Sequence, residues 1–174
     1  MKKGFTMIEL IFVIVILGIL ASVAIPRLAA TREDAEISAT VANLRTLVSD
    51  VTAYYTAKGA FVTTGNTTAK WSDITNVPLN GATNDVTNTG AKLKAGGKDC
   101  IGVQLVNKAG AVPAHIVITK EGSVTNVCEQ VVASEPLKAY FSSKVTGVNN
   151  ADTNKGYIAI GSSTSVYTPA TTSN

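Results

Sequence analysis

The sequence predicts an α+β protein in which one very long N-terminal α-helix packs against a small antiparallel β-sheet head. Two observations predict this architecture. An apolar run at residues 5–25 continues into a helical, amphipathic pattern that ends near residue 58, and short alternating patterns typical of strands follow beyond residue 100. The 174 residues suit one globular region with an appendage, and 45% hydrophobic residues suffice for a packed core.

The first part of the predicted helix, residues 5–26, is apolar all round except for a single charge, Glu9. Its 21 residues from 5 to 25 would span roughly 31 Å as a helix, which is close to the hydrocarbon thickness of a bilayer. Lys2 and Lys3 precede the run and favour a cytoplasmic N-terminus. An ordinary secretory signal and a simple membrane anchor are the alternatives. The length of the run, its internal acid and its continuous helical pattern argue against the ordinary signal.

The second part of the predicted helix, residues 27–58, is amphipathic. Its apolar residues recur at spacings of three and four, with charged and polar residues between them. Pro26 removes one amide donor inside the helical stretch, so we expect a kink there rather than a stop. Lys58 places a cation in the last turn, and Gly59 suits the left-handed position that follows a helix. The apolar stripe consists of Ile37, Val41, Leu44, Val48, Val51 and Tyr55.

The remaining residues, 59–174, are predicted to form a β-rich globular head. The segment 60–98 is rich in Gly, Thr and Asn, and we expect a long connection there with little regular structure. The sheet is predicted to be a three-stranded antiparallel meander, with residues 157–160 as the candidate for a fourth strand, and one of its faces would cover the apolar stripe of the helix. The strand patterns lie at 101–105, 111–119, 124–128 and 157–160.

The composition argues against an enzyme. One His and two Cys leave little for a zinc site, an iron–sulfur cluster or a His-based catalytic centre, and no cofactor is expected. A net charge of +3 is too small to indicate nucleic-acid binding. Asn150, Asp152 and Asn154 alternate like calcium ligands, but the following glycine is one place late and no acid closes the loop. We therefore predict a solvated turn there, and no metal.

The segment Lys3-Gly4-Phe5-Thr6-Met7-Ile8-Glu9-Leu10-Ile11 resembles the class III signal of type IV pilins and type II secretion pseudopilins, and Pro26 falls where that family has its helix-breaking proline. The resemblance implies the pilin fold. It also implies that a prepilin peptidase cleaves between Gly4 and Phe5 and methylates the new amine of Phe5. Residues 1–4 would be the leader, and the apolar helix would stay on the mature subunit.

The same resemblance implies a homo-oligomeric helical filament in which Glu9 pairs with the methylated Phe5 amine of a neighbouring subunit, and Pro26 belongs to the assembly helix. The implied partners are the prepilin peptidase, an assembly ATPase and its platform protein. The chain would be a single-pass precursor in the inner membrane and then part of an extracellular pilus. A pseudopilin in a periplasmic pseudopilus and a monomeric membrane-anchored binding module are the alternatives.

Cys100 and Cys128 are the only cysteines. A single pair in an exported head indicates a disulfide, with two free buried thiols as the alternative. The bridge favours a pilin over the major pseudopilins, which usually lack one. The family pattern places the bridge close to the C-terminus, whereas 46 residues follow Cys128 here. The receptor-facing loop of the family is therefore not assigned to this stretch.

Overall fold

The structure is a computed structural model, and it divides into two compact units, with the boundary in the chain between Glu36 and Ile37. The first unit is helical from Met7 onward, and the second unit holds the rest of that helix and a β-sheet. The described residues are 4–63, 67–82, 85–87, 90–121 and 126–161.

The long helix α1 spans Met7–Lys58, 52 residues. It continues through Pro26, so the proline does not end it. The predicted end is confirmed, because Gly59 has a φ of +76° and donates its N–H to Tyr55 O at 2.7 Å. Within the described residues, α1 alone is long and apolar enough to cross a membrane, judged by length and composition.

The second unit contains a four-stranded antiparallel sheet and several short elements. After α1 the elements are β1 Val62–Thr63, β2 Thr67–Thr68, α2 Trp71–Ile74, β3 Ala91–Ala95, β4 Lys98–Val106, β5 His115–Lys120, α3 Asn126–Ala133, α4 Glu135–Ser142 and β6 Lys155–Ala159. The strand order of the sheet is β3-β4-β5-β6, so each strand pairs with its neighbour in chain order. The two short helices α3 and α4 lie in the connection between β5 and β6.

The core of the second unit lies between the sheet and the part of α1 that follows Glu36. Leu44, Leu47 and Val51 of α1 are fully buried in one cluster with the inward side chains of the sheet. Thr40 adds a hydrogen bond between α1 and the sheet, because its hydroxyl donates to Lys94 O of β3 at 3.0 Å. The predicted α+β architecture, with a helix packed against an antiparallel sheet as in the pilin fold, is confirmed.

Three of the predicted strands are present. The patterns at 101–105 and 157–160 correspond to β4 and β6, and the pattern at 111–119 corresponds to β5, although β5 begins only at His115. Pro113 lies just before that start and has no N–H to donate to a ladder, which fits the late beginning. Ala109 and Val112 instead close a small turn with two backbone hydrogen bonds of 3.0 Å.

Two predictions about the head are wrong. The stretch 124–128 is not a strand where it is described, because Asn126–Ala133 forms α3. Val127, Cys128 and Val131 follow the three- and four-residue spacing of a helix face that packs on the core, and this outweighs the short alternation. The segment 60–98 also contains regular structure, namely β1, β2, α2 and β3. Residues 124 and 125 lie outside the described residues.

The connection between β5 and β6 is held to the sheet at two points. Cys100 and Cys128 form the predicted disulfide, which joins β4 to α3 with their Cα atoms 5.1 Å apart. Further along, α4 lies so close to β6 that only glycine fits at position 156. A Cβ there would meet the backbone carbonyl of Tyr140 and would lie 2.8 Å from the Cα of Phe141.

Candidate functional site

The peptide bond predicted to be cleaved lies in an exposed segment ahead of α1. Gly4, Phe5 and Thr6 are exposed and precede the first helical residue, and Phe5 is 89% exposed. No described atom lies within 4 Å of a Cβ placed on Gly4, so the described residues give no steric reason for glycine at this position.

Thr6 and Glu9 form a capping box at the start of α1. The N–H and the hydroxyl of Thr6 donate to Glu9 Oε2, at 2.9 and 2.8 Å. In return, the N–H of Glu9 donates to Thr6 Oγ1 at 3.4 Å. These bonds satisfy groups that the first turn of a helix leaves without an internal partner. This box was not predicted, although Thr followed three residues later by Glu ahead of an apolar run is its usual sequence signature.

The capping box also orients the Glu9 carboxylate. Both bonds from Thr6 go to Oε2, and Oε1 makes no hydrogen bond with the residues that the structure describes. The carboxylate is therefore held at the N-terminal end of α1 by Thr6, the residue that follows Phe5, and one of its oxygens is free to accept from another donor. Cleavage after Gly4 would turn the N–H of Phe5 into a positively charged amine.

The surface of α1 that follows the capping box is apolar and uncovered. Among the described residues, all 16 large hydrophobic side chains classed as exposed lie between Phe5 and Leu28, with exposed fractions of 41–89%. A contiguous apolar surface of this kind marks a site of membrane or protein interaction. Pro26 lies near its end and removes the helical N–H that would pair with the carbonyl of Ser22. Its role in assembly stays a prediction.

Both outer strands of the four-stranded sheet bond to other segments of the same chain. On the β3 side, Asn80 and Lys92 exchange two backbone hydrogen bonds of 2.8 Å. On the β6 side, Tyr157 donates its N–H to Ser143 O at 3.3 Å and accepts at its carbonyl from the Ser143 hydroxyl at 2.7 Å. These contacts occupy edge groups that would otherwise be free to pair with a strand of another chain.

The weak calcium candidate at residues 150–154 is a turn held by its own bonds. Asn150 donates its side-chain N–H to Val145 O at 3.0 Å. Asp152 Oδ1 accepts the N–H of Asn154 at 3.0 Å, and its Oδ2 lies 3.3 Å from Lys155 Nζ. The backbone N–H of Asn154, followed by Lys155, lowers the pKa of the Asp152 carboxyl. Within the described ranges, no three His, Cys, Asp or Glu side chains form a group that could hold a metal ion.

Residues 1–25 match the family model described as the prokaryotic N-terminal methylation motif. This motif is the class III signal of type IV pilins and pseudopilins, whose family is structural. The match includes Gly4, Phe5 and Glu9 and ends one residue before Pro26. No curated protein and no solved structure matches the chain.

Proposed function

We propose that this protein is the structural subunit of a type IV pilus or a similar filament and that it polymerises through its N-terminal helix. One observation supports the proposal above all others. The methylation motif covers residues 1–25 and therefore includes the start of an apolar helix whose surface is exposed from Phe5 to Leu28. The same helix continues to Lys58, and its later residues Leu44, Leu47 and Val51 are buried in the core of the head. Cleavage between Gly4 and Phe5 removes residues 1–4 and leaves that helix on the mature subunit.

The apolar surface from Phe5 to Leu28 is covered in two successive environments. Lipid covers it while the precursor spans the inner membrane once, since an apolar helix of this length suits the hydrocarbon layer. After extraction, neighbouring copies of the same surface cover it in the filament. Contacts of this head-to-tail kind do not close into a ring, so they propagate as a helical fibre that extends outside the cell.

Glu9 provides the driving force and the register for this assembly. A lone carboxylate in hydrocarbon is costly, and a positively charged partner offsets that cost. The methylated amine of Phe5 in the next subunit is that partner, and Glu9 Oε1 is free to accept from it while Oε2 keeps the bonds from Thr6. Two unit charges at about 4 Å attract by roughly 4 kcal/mol at an effective dielectric constant of 20.

The filament subunit is a building block rather than a catalyst. Its processing and assembly require a prepilin peptidase, an assembly ATPase and a platform protein in the inner membrane. Nucleic acid is not proposed as a partner, because removal of Lys2 and Lys3 leaves 13 basic against 12 acidic residues. The edge bonds of the sheet support polymerisation through the helix, since they occupy groups that strand addition would use.

Electron microscopy of filaments sheared from the cell surface, with mass spectrometry of their subunits, tests the proposal. We expect surface filaments built from this chain. A pool found only in the periplasm, together with loss of enzyme secretion when the gene is deleted, would instead indicate a pseudopilin. A chain that stays monomeric in the membrane and yields no cross-linked oligomers would indicate a membrane-anchored binding module and would overturn the filament proposal.

A further inference from the structure

Two opposite charges on the N-terminal part of α1 are exposed and have no partner within the described chain. Arg27 and Asp34 make neither an ion pair nor a hydrogen bond through their side chains with any residue that the structure describes. Arg32 and Glu36 behave differently, because Arg32 Nε lies 3.2 Å from Glu36 Oε1 in the same helix. The arginine just beyond the apolar run and the acid seven residues later are therefore available to another molecule.

Arg27 and Asp34 lie on the same side of α1 but cannot pair with each other. Seven residues make almost two helical turns, so the two positions differ by only about 20° around the axis and by about 10.5 Å along it. Glu9 shares this side, because 18 residues separate it from Arg27 and correspond to about five full turns. The neighbouring acid, Glu33, points about 120° away from Arg27.

We propose that, in the filament, Arg27 of one subunit forms an ion pair with Asp34 of a neighbouring copy of this chain. The inference rests on the proposed function, because it requires parallel copies of α1. It names the contact that follows the pair between Phe5 and Glu9. In both pairs the cation precedes the acid along the chain, by four residues in the first pair and by seven in the second.

A single axial shift between two parallel copies of α1 allows both ion pairs, Phe5 with Glu9 and Arg27 with Asp34, to form. If one helix is shifted along its neighbour until its Phe5 amine is level with Glu9, its Arg27 moves toward Asp34 of that neighbour. The two spacings correspond to about 6 Å and about 10.5 Å along the axis. The long, flexible arginine side chain spans the difference, because its charged head lies well away from its backbone. The molecule that contacts the side of α1 with Arg27 and Asp34 is therefore a second copy of this chain, because its charges are complementary.

The Arg27–Asp34 pair sets the alignment of neighbouring helices more than it adds to their affinity. Charged pairs between subunits fix orientation and exclude wrong alignments more than they add affinity. The apolar run alone would permit neighbouring helices to slide along one another, since its surface is hydrophobic along its whole length. A pair at Phe5 and Glu9 and another beyond the end of that run fix the stagger at two points. The Arg27–Asp34 pair lies outside the apolar run, so salt weakens it.

Charge reversal tests the pair in cells that make filaments. Arg27→Glu and Asp34→Arg should each reduce the yield of sheared filaments at least about tenfold, because each places like charges opposite one another. The double variant that carries both changes should restore the yield to near wild type. Glu33→Arg is the matched control, since it makes the same change one residue away from Asp34 on another side of the helix, and it should leave the yield within about twofold.

Cysteine cross-linking tests the contact itself. The chain with Arg27→Cys and Asp34→Cys is coexpressed with excess wild-type subunit so that filaments form. Within one helix the two Cα atoms are about 10.5 Å apart, beyond the roughly 7 Å limit for a disulfide, so any bridge joins different subunits. Oxidised filaments should give dimers and higher oligomers on a non-reducing gel. Arg27→Cys with Glu33→Cys moves the second cysteine to another side of the helix, about 9 Å along the axis from the first, and should give far fewer.

The outcomes separate this inference from the proposed function. Wild-type filaments that tolerate both single reversals and form no cross-linked oligomers would overturn the Arg27–Asp34 pair and leave the filament subunit intact. Single reversals that reduce the yield without rescue by the double variant would also overturn it, since a matched pair predicts rescue. Absence of any filament from the wild-type chain would overturn the proposed function and the inference with it.

Discussion

Glu9 has two roles that substitutions can separate. It caps its own helix through two bonds from Thr6, and we propose that it pairs with the Phe5 amine of the next subunit. Glu9→Gln keeps a side-chain oxygen that can accept from Thr6, but it removes the negative charge. Glu9→Ala removes both the oxygen and the charge, and Thr6→Ala removes the side-chain half of the cap while the carboxylate remains.

The two contributions differ in size. Loss of the cap costs about 1 kcal/mol and acts only on the first turn of α1. Loss of the charge pair removes roughly 4 kcal/mol for unit charges at 4 Å in an effective dielectric constant of 20. Since each 1.4 kcal/mol is about tenfold, the pair is worth nearly a thousandfold at each intersubunit contact. We therefore expect Glu9→Gln and Glu9→Ala to abolish filaments and Thr6→Ala to leave them within about tenfold of wild type.

The assay is the amount of subunit in sheared filaments divided by the amount in the membrane fraction. The membrane fraction is the control for synthesis and insertion, which these substitutions should leave unchanged because the apolar run is intact. Normal filaments from Glu9→Gln would refute the charge pair. Filament loss from Thr6→Ala as complete as from Glu9→Gln would show that the cap, rather than the charge, is what assembly requires.

Three further predictions concern the head and are measured by unfolding of the purified full-length chain in detergent. Gly156→Ala should destabilise the head by about 3 kcal/mol, because its Cβ would collide with the backbone carbonyl of Tyr140. Replacement of Cys100 and Cys128 by serine should lower the free energy of unfolding by roughly 3–4 kcal/mol, since the bridge closes a loop with a sequence separation of 28. The lowered pKa of Asp152 should stabilise the head above pH 3.8, its ordinary value, and this contribution should vanish as the pH falls through the lowered pKa.

Each of these predictions has a matched control. A Cβ added at Gly110 would meet no described atom, but the backbone there is left-handed and strains any other residue. Gly110→Ala should therefore lower the free energy of unfolding by only about 1 kcal/mol. An equal loss for Gly156→Ala would contradict the collision with Tyr140. Reduction of the wild-type chain should reproduce the double serine variant, and unchanged unfolding on reduction would contradict the loop argument. Asp152→Asn should eliminate the acid-dependent difference, and identical pH profiles for the two chains would contradict the assignment.

The elements with long, regular patterns could be predicted from the sequence. The end of α1 at Gly59 followed from a cation and a glycine after an amphipathic stripe, and the buried side chains of that stripe are where the periodicity placed them. β4 was predictable because Ile101, Val103 and Leu105 alternate over a long strand whose inward face is fully apolar. In these cases local pattern and tertiary packing favour the same structure.

The short elements were harder to predict because their signals are weak or compete. The alternating residues of β3, Ala91–Ala95, are mostly alanine and lysine, and glycines flank them, so the strand resembled a connection. The stretch around Cys128 fits both a strand and a helix over four residues, and packing against the core decides for the helix. The signals for α4 were present in Ser134 and Pro136, a capping residue and an early proline.

The candidate site was only partly predictable. The positions of Gly4, Phe5 and Glu9 follow from the motif. Only the side-chain geometry shows that Glu9 Oε2 accepts both bonds from Thr6 and that Oε1 accepts neither. The free charges at Arg27 and Asp34 also required the structure, because the sequence does not show which charges along a helix pair within the chain.

The N-terminus of the mature subunit tests the central claim most directly. Mass spectrometry of subunits from sheared filaments should find a chain of 170 residues that begins with N-methylated Phe5, after loss of residues 1–4 from the 174-residue precursor. A mature chain that begins at Ile25 would contradict the account, because the helix proposed to form the filament core would then have been removed.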